Sequence, residues 1–389
     1  MAQGLTKLFT DFFNSEKTGG FTLIACTLLS ILLANSSFGD NYLHFWHQEV
    51  GYEGSGIKLS FPVEYWINDG LMTVFFLLVG LEIERELYIG ELSGFKNASL
   101  PIFAAMGGML IPAAVHFAIN KGTETQAGFG IPMATDIAFA LGILSLLGNR
   151  VPTALKIFLT AFAIIDDLGA IIIIAIFYTK SFSLFYFSFA IGIFGLLLLF
   201  NRLGFKNLLL YLLPGAVMWY CMLHSGVHAT ISGVLLAFAL PFGDGGEKSP
   251  SYRLQHFLHK PVAFLILPIF ALANTGIVFN TGWYNQLSSK NSIGILGGLL
   301  LGKPVGILLF TFASVKLKIS SLSDGITWHH IIGAGFLGGI GFTMSVFITL
   351  LAFQDQQTVI YSKIAVLMAS IVAGMVGYLY LRQVLAKKK

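Results

Sequence analysis

Long apolar runs occupy most of this 389-residue chain, and they constrain its fold more than any other feature. A helix needs about 20 largely apolar residues to cross a bilayer, and only 11% of the residues are charged, against about a quarter in soluble domains. The sequence therefore predicts an all-α integral membrane protein in which residues 1–389 form a single transmembrane domain. About twelve transmembrane helices are expected, at 18–36, 62–86, 98–118, 126–147, 153–178, 184–200, 206–223, 226–241, 258–279, 291–314, 328–352 and 360–382.

The distribution of lysine and arginine predicts the orientation of these helices. If both termini face the cytoplasm, seventeen basic residues fall on that side and five on the other, which leaves Lys303 within the membrane. This asymmetry follows the positive-inside rule. Topology thus accounts for nearly all of the basic residues, so membrane lipids are the expected surroundings and the net charge of +4 needs no nucleic-acid partner.

Two of the predicted helices carry interruptions at equivalent places. Predicted helix 4 contains GFGIPMATDIAFALG and predicted helix 11 contains GAGFLGGIGFTMS. Helices 3–5 (98–178) and helices 10–12 (291–382) also run in opposite senses across the membrane. Paired interruptions of this kind predict an inverted repeat whose discontinuous helices 4 and 11 cross near the midplane. The alternative is that the small residues pack closely within continuous helices.

Five ionisable residues fall deep within the predicted spans, and each costs roughly 2.5–3.5 kcal/mol at the centre of an inserted helix. They are Asp69, Asp136, Asp166, Asp167 and Lys303. Such a cost predicts a purpose for most of them. For Asp136 and Lys303 two interpretations stay open, because an aspartate beside one helix break and a lysine beside the other would also balance the exposed helix dipoles.

The adjacent pair Asp166–Asp167 predicts a site for a small cation. Neighbouring residues of a helix point about 100° apart, so one carboxylate can bind the cation while the other faces Lys303, the only cationic residue predicted at that depth. Thr135 and Asp136, which follow Pro132, add a hydroxyl, a carboxylate and freed carbonyls as hard oxygen ligands.

Two neighbouring carboxylates in a low dielectric cannot both stay ionised without a counter-ion, since desolvation and mutual repulsion disfavour the charged forms. They are expected to titrate as a coupled pair and to hold either protons or a metal cation. Exchange of about two protons for one monovalent cation would be electrogenic, with about 2.3 kcal/mol per net charge per 100 mV available to drive cation export.

The chain resembles the NhaA family of bacterial sodium/proton antiporters over essentially its whole length. The resemblance lies in WINDGLMTVFFLLVGLEIERE (66–86), IPMATDIAFALG (131–142), AFAIIDDLGA (161–170), LHSGVHATISG (223–233) and LGKPVGI (301–307). It implies a transporter of the bacterial inner membrane rather than an enzyme, which carries Na⁺, Li⁺ and H⁺ and needs no cofactor. It further implies a cation site at Asp166 and Asp167, with Thr135 and Asp136 nearby, and an essential lysine at Lys303.

The resemblance also implies regulation by pH from the cytoplasmic side. The candidate residues are the end of predicted helix 2 and the start of helix 9, together with one histidine from LHSGVHAT: Glu82, Arg85, Glu86, Arg253, His256, His259 and His228. Histidine titrates in the useful range, although His228 is expected to serve packing more than switching. Asp69 is expected to line a water-filled funnel. Tyr252 and Gln255 stand where the family often has lysine and glutamate, so activation by alkaline pH is expected in a weakened or shifted form.

Residues 42–61 contain a Gly-rich turn between polar segments and are expected to form an exposed loop or small β-hairpin on the outer side. They resemble the outer hairpin through which two copies pair in the family, so a homodimer is expected. Pairing between edge strands is a physically reasonable mode of association.

Sequence features disfavour three other functions. An intramembrane aspartyl protease needs two aspartates that face each other from separate helices, whereas Asp166 and Asp167 are sequential. A cation channel would select its ion with rings of carboxylates, but the lysine, the predicted repeats and the single deep site favour stepwise exchange. A symporter of an organic solute would need a large polar cluster that the predicted spans lack.

Overall fold

The computed structural model describes residues 2–54, 57–179, 181–279 and 281–386, without the side chains of 2–17, 57–58 and 95–96. It is mainly helical, with one small β-sheet. The elements are α1 (Ala2–Ala34), α2 (Gly39–His47), β1 (Glu49–Gly54), β2 (Ile57–Pro62), α3 (Val63–Tyr88), α4 (Phe95–Asn120), α5 (Ile137–Ser145), α6 (Thr153–Phe177), α7 (Leu184–Arg202), α8 (Leu209–Ser225), α9 (Ile231–Ala239), α10 (Pro250–Asn274), α11 (Lys290–Lys316), α12 (Trp328–Gly338), α13 (Phe342–Ala352) and α14 (Gln356–Ala386).

Within the described residues, seven helices are long and apolar enough to cross a membrane, and up to ten spans result if each bent helix pair counts as one. The predicted class, an all-α membrane protein with a small hairpin, is therefore confirmed. Predicted span 206–223 corresponds to the 17-residue α8, and predicted span 226–241 contains only the nine-residue α9. The count of twelve stays a prediction.

The hairpin is shorter than the predicted segment 42–61. Residues 42–47 belong to α2, and the antiparallel strands β1 and β2 pair from Glu49 opposite Pro62 to Gly54 opposite Ile57. Residues 42–46, YLHFW, lie in this helix. Their Trp46 is buried, while the adjacent Phe45 and His47 are exposed. The predicted turn at 55–56 lies outside the described residues. Every residue of β1 before Gly54 is exposed.

The chain groups into two compact units, and the predicted repeat segments 98–178 and 291–382 supply most of the first one. The first unit comprises 1–21, 89–173 and 280–389, and the second comprises 22–88 and 174–279. The symmetry between the two repeat segments stays a prediction.

Glycines bring α4 and α11 of the first unit into close contact. Gly294, Gly298, Gly302 and Gly306 recur at every fourth position of α11, so that they share one helix face. A Cβ atom on Gly306 would lie 2.1 Å from the carbonyl oxygen of Gly107 on α4, and one on Gly302 would lie 2.9 Å from Pro112. Only hydrogen fits at these crossings, which is how helices associate where lipid offers no hydrophobic drive. This packing fixes the helix that carries Lys303.

In the second unit, glycines likewise bring α3 and α9 into close contact. A Cβ atom on Gly233 would lie 2.3 Å from the carbonyl oxygen of Thr73, and one on Gly80 would lie 2.6 Å from the Ala237 side chain. This packing holds the last turns of α3, which carry Glu82 and Glu84, against the rest of the unit.

Candidate cation site and helix-end cluster

Two helix breaks of the first unit meet through their backbones. The 3₁₀ segment Glu124–Met133 and α5 form a bent pair with an angle of 42°, and α12 and α13 form one of 46°. The Asp136 amide donates to the carbonyl of Ile340 at 2.7 Å, and the Thr135 hydroxyl donates to that of Gly338 at 2.9 Å. Both predicted interruptions are therefore real, and the alternative of continuous helices is wrong for these two segments.

Asp136 is held by the N-termini of two half-helices, α5 and α13. Its Oδ1 accepts from the Phe139 amide of α5 at 2.9 Å, while Oδ2 accepts from the amide of Thr343 in α13 at 3.0 Å and from its hydroxyl at 2.5 Å. The side chain is 2% exposed. A carboxylate at two helix N-termini is stabilised by their partial positive charge and by hydrogen bonds to otherwise unpaired donors. Asp136 thus binds the two breaks together.

Lys303 contacts both an acid and a helix end. Its Nζ lies 2.8 Å from Oδ2 of Asp166 and donates to the carbonyl oxygen of Met133, the last residue of the 3₁₀ segment. Lys303 and Asp166 are both fully buried. Lys303 therefore makes the contacts that both roles require, with Asp166 and with a helix C-terminus, and its role stays a prediction.

Asp167 has the least satisfied carboxylate of the group. It is 2% exposed, and its Oδ1 has no hydrogen-bond partner among the described residues. The Oδ1 of Asp166 also lacks a hydrogen-bond partner among the described residues. Thr135 lies beside Asp166, and Asp167 interacts electrostatically with Asp136, Asp166 and Lys303. The structure thus brings together the five predicted site residues, here named the buried aspartate cluster: Thr135, Asp136, Asp166, Asp167 and Lys303.

The predicted sensor residues gather in the second unit, where the last turns of α3 meet the first turns of α10. Glu82 Oε1 lies 3.7 Å from His259 Nε2, with the two side chains 11% and 12% exposed. Arg85 lies over the Tyr252 ring at 5.2 Å, and Tyr252 in turn stacks on His256 at 6.1 Å. Tyr252, which lacks the positive charge expected there, thus supplies an aromatic face to Arg85 instead.

Glu84 belongs to the same group, although the sequence analysis did not select it. It is 4% exposed, and its Oε2 accepts from the Ser251 hydroxyl at 3.0 Å. The sequence signal that could have identified Glu84 is its position in LEIERE, between the predicted sensor residues Glu82 and Glu86. The helix-end cluster is defined here by residues of α3 and α10: Glu82, Glu84, Arg85, Ser251, Tyr252, His256 and His259.

The other predicted residues of the second unit have different surroundings. Glu86 interacts electrostatically with Arg85, whereas the Arg253 side chain is exposed. His228 Nε2 lies 2.8 Å from the carbonyl oxygen of Tyr178, outside the helix-end cluster. Asp69 lies in a π-helical turn of α3, where its backbone carbonyl accepts from Thr73 at 2.5 Å and from the Trp219 indole at 3.2 Å.

A model of the family described as Na⁺/H⁺ antiporter 1 matches residues 10–381. The chain belongs to this family. A protein of Flavobacterium johnsoniae named Na(+)/H(+) antiporter NhaA 1 is 57% identical over 385 residues, with 99% of each chain covered. The Dechloromonas aromatica protein named Na(+)/H(+) antiporter NhaA is 60% identical over 381 residues, with 97% of this chain and 96% of that protein covered.

The predicted resemblance to NhaA antiporters is thereby confirmed, and these relatives are named as transporters rather than as enzymes. A Helicobacter pylori strain P12 protein with the same name is 44% identical, with 97% of this chain and 95% of that protein covered. Among the described residues, no group of three or more histidine, cysteine, aspartate or glutamate side chains is arranged to hold a metal ion.

Two contributors to this antiporter-family site were missed in the sequence. Thr343 donates both its amide and its hydroxyl to Asp136, and the Met133 carbonyl accepts from Lys303. The sequence does contain a signal for Thr343, because this hydroxyl residue directly follows the Gly-rich break GGIGF. The Met133 carbonyl has none, since every residue carries a carbonyl and only the fold shows which one is left unpaired.

Proposed function

We propose that the chain exchanges Na⁺ or Li⁺ for H⁺ by competition of the cation and protons for Asp166 and Asp167. The observation that carries this proposal is the charge of the buried aspartate cluster. Three carboxylates and one ammonium group leave two negative charges when all are ionised, in side chains that are at most 2% exposed. Bare buried charge is costly, so protons or a cation must neutralise it.

The contacts divide the three aspartates by role. Asp136 receives three hydrogen bonds from helix N-termini and can stay ionised as an anchor. Asp166 is paired with Lys303, so a cation that binds it competes with the ammonium group. Asp167 has an unpaired oxygen and is the first ligand for an arriving cation. The Thr135 hydroxyl and freed backbone carbonyls are available as neutral ligands.

The exchange follows from this division. When Na⁺ leaves toward one side, Asp166 and Asp167 take up protons from that side, and when the protons leave on the other side, the carboxylates are again free for Na⁺. About two protons move per Na⁺, so each cycle transfers about one net charge. The membrane potential then contributes about 2.3 kcal/mol per 100 mV to export of the cation.

Proton movement in everted membrane vesicles tests the proposal. Addition of Na⁺ or Li⁺ to vesicles with an imposed pH gradient is expected to release protons with the wild-type chain and not with Asp167→Asn, which lacks the exchangeable charge. Asp355→Asn is the matched control, because Asp355 is exposed and caps Thr358, and asparagine caps helices about as well as aspartate. Normal transport by Asp167→Asn at an equal membrane level contradicts the mechanism.

Purified protein in proteoliposomes separates electrogenic exchange from a channel. With a potassium-diffusion potential clamped by valinomycin, outward Na⁺ movement is expected to depend on both the voltage and the proton gradient. Sodium flux that ignores the proton gradient would support the channel. Exchange that ignores the voltage would overturn the two-proton stoichiometry.

We also propose that the helix-end cluster regulates the exchange by pH. His259 carries a charge only when it is protonated, and then it attracts Glu82 and repels Arg85 and His256, all of which face it. A change in the protonation of His259 switches these forces on or off and can change how α3 packs against α10. Because α3 also carries Asp69 in its π-helical turn, a shift of this helix would reach the interior of the second unit.

The membrane location and the association of the chain are proposals as well. The positive-inside asymmetry supports insertion in the bacterial inner membrane with both termini in the cytoplasm, which reporter fusions to the C-terminus test. The hairpin supports a homodimer, since the two-stranded sheet has free edges and Val50 and Tyr52 are 55% and 62% exposed. Replacement of 49–62 by two glycines is expected to yield monomers in light scattering, and unchanged dimers would place the interface elsewhere.

A further inference from the structure

A cavity of about 400 Å³ lies in the first unit, apart from the buried aspartate cluster. It is formed where α5 ends in the 3₁₀ turn Gly148–Arg150 and where the last turns of α14 pass by. Its volume is within the range of small-ligand pockets. Its lining residues are Leu146, Leu147, Gly148, Asn149, Arg150, Tyr378, Arg382 and Leu385.

The cavity has two positive charges and no acidic residue in its lining. Arg150 and Arg382 both line it and are exposed, and neither forms an ion pair within the part of the chain that the structure describes. Gly148 has a φ of +65°, which turns the chain after α5, and Asn149 and Arg150 line the same cavity as the last turns of α14. Two guanidinium groups beside an amide and a phenol suit an anion with several oxygens, and guanidinium matches phosphate geometry by paired hydrogen bonds.

An apolar stripe leads away from the cavity along α14. Ile371, Met375 and Leu379 recur every fourth residue and are 53%, 54% and 52% exposed, and Arg382 follows Leu379 by one turn. On the other wall Leu146 is 50% exposed. An anion-binding cavity at the foot of an exposed apolar stripe fits a ligand with a charged head and hydrocarbon chains.

The predicted orientation places this end of α14 at the cytoplasmic surface. Basic pockets between transmembrane helices on that side are suited to the headgroups of anionic lipids. The two arginines thus attract an anionic headgroup, and the stripe favours a lipid over a soluble anion.

We propose that the cavity binds the phosphodiester headgroup of an anionic phospholipid, with Arg150 and Arg382 on the phosphate and the acyl chains along Ile371, Met375 and Leu379. The site needs none of the residues assigned to ion exchange. Its occupancy joins the end of α5, a half-helix of the buried aspartate cluster, to α14.

Native mass spectrometry of the full chain in detergent tests the proposal. Retention of phosphatidylglycerol, compared with phosphatidylcholine, is expected to weaken by about tenfold or more in the double variant Arg150→Gln/Arg382→Gln. Lys316→Gln/Lys318→Gln is the matched control, because it removes the same charge from exposed residues outside the cavity. Equal weakening in the control, or none in the arginine variant, overturns the proposal.

Competition distinguishes a lipid from a soluble anion. Inorganic phosphate and glycerol phosphate are expected to displace phosphatidylglycerol only weakly, since they lack chains for the apolar stripe. Displacement at concentrations near that of the lipid would instead identify a site for free phosphate. Arg150→Lys/Arg382→Lys keeps the charge and loses the paired hydrogen bonds, so intermediate retention is expected.

Arginine labelling of the wild-type chain gives an answer even if the variants fail to fold. Phenylglyoxal is expected to label Arg150 and Arg382 several-fold more slowly in nanodiscs of phosphatidylglycerol than in nanodiscs of phosphatidylcholine. Arg253, an exposed arginine of the second unit, is expected to change less and serves as the internal reference. The same slowing at all three arginines would show only the general surface charge of the lipid and contradict the site.

Discussion

The buried aspartate cluster and the helix-end cluster use similar charged side chains for different physical ends. In the first, four ionisable groups are at most 2% exposed. Three hydrogen bonds hold Asp136, and one ion pair joins Asp166 to Lys303. In the second, Glu82 and His259 are 11% and 12% exposed, and Arg85, His256 and Tyr252 stack beside them. Buried charge without full pairing requires neutralisation by a proton or a cation, which is the basis of the proposed exchange, whereas water can solvate charge in the less buried cluster.

This difference predicts the size of mutational effects. Removal of one partner from a fully buried pair leaves a charge with no counter-ion, which costs several kcal/mol. Removal of a partner near the surface leaves a charge that water can solvate, which costs about 1 kcal/mol or less.

The largest effect is expected for Lys303→Met, which leaves Asp166 buried without its ammonium partner. A loss of about 3–5 kcal/mol in the free energy of unfolding is expected, measured by denaturation in mixed micelles. The double variant Asp166→Asn/Lys303→Met removes both charges and is expected to recover most of this loss. If the double variant is as unstable as the single one, the ion pair is not the source of the effect.

The next effect concerns the packing that positions Lys303. Gly306→Ala would place a Cβ atom 2.1 Å from the Gly107 carbonyl oxygen, so α4 and α11 must separate. A loss of about 1–3 kcal/mol is expected, with weaker Na⁺-dependent proton release. Gly192→Ala in α7 is the control, because a Cβ atom there has no neighbour within 4 Å, and it is expected to be neutral or stabilising. Equal losses in both would show that only helix propensity was measured.

A smaller effect is expected for Thr343→Val, which removes the hydroxyl bond to Asp136 and keeps the shape of the side chain. A hydrogen bond to a charged group contributes about 1.5–3 kcal/mol when it is buried. Thr358→Val is a matched control, since Thr358 makes the same type of bond to the exposed Asp355 at 2.7 Å. A clearly smaller loss is expected there, and equal losses would mean that burial does not set the strength of these bonds.

The smallest effect on stability is expected for His259→Gln, which removes the titratable group beside Glu82. Stability should change by about 1 kcal/mol or less, whereas the pH profile of transport should flatten or shift by about half a pH unit or more. His228→Gln is the control, because His228 contacts a backbone carbonyl outside the cluster. A flat wild-type rate from mildly acidic to alkaline pH would contradict the sensor, and a shift only in His228→Gln would relocate it.

The site residues were predictable because charge in a predicted span is costly wherever the helix packs. Asp136, Asp166, Asp167 and Lys303 were selected on that basis, and the structure brings them together. Which of these residues contact one another was harder to predict from the sequence. Lys303 is 137 residues from Asp166, and Thr343 is 207 residues from Asp136. The glycine stripe of α11 was overlooked, although its spacing of four is visible in GILGGLLLGKPVG. In the second unit Glu84 and Tyr252 gained their contacts only through the packing of α3 on α10.

By itself, the sequence determined that the chain crosses a membrane, where two of its helices break and that Asp136, Asp166, Asp167 and Lys303 are buried. These follow from composition and local order, since apolar runs partition into lipid and clustered glycine and proline weaken a helix. Their neighbours still matter, because α4 continues through Pro101 and Pro112. The tertiary structure decided which aspartate is anchored by helix N-termini, which is paired with Lys303 and which, among the described residues, has neither kind of partner. That outcome depends on backbone carbonyls and amides left unpaired at the breaks, and every residue type carries these groups alike.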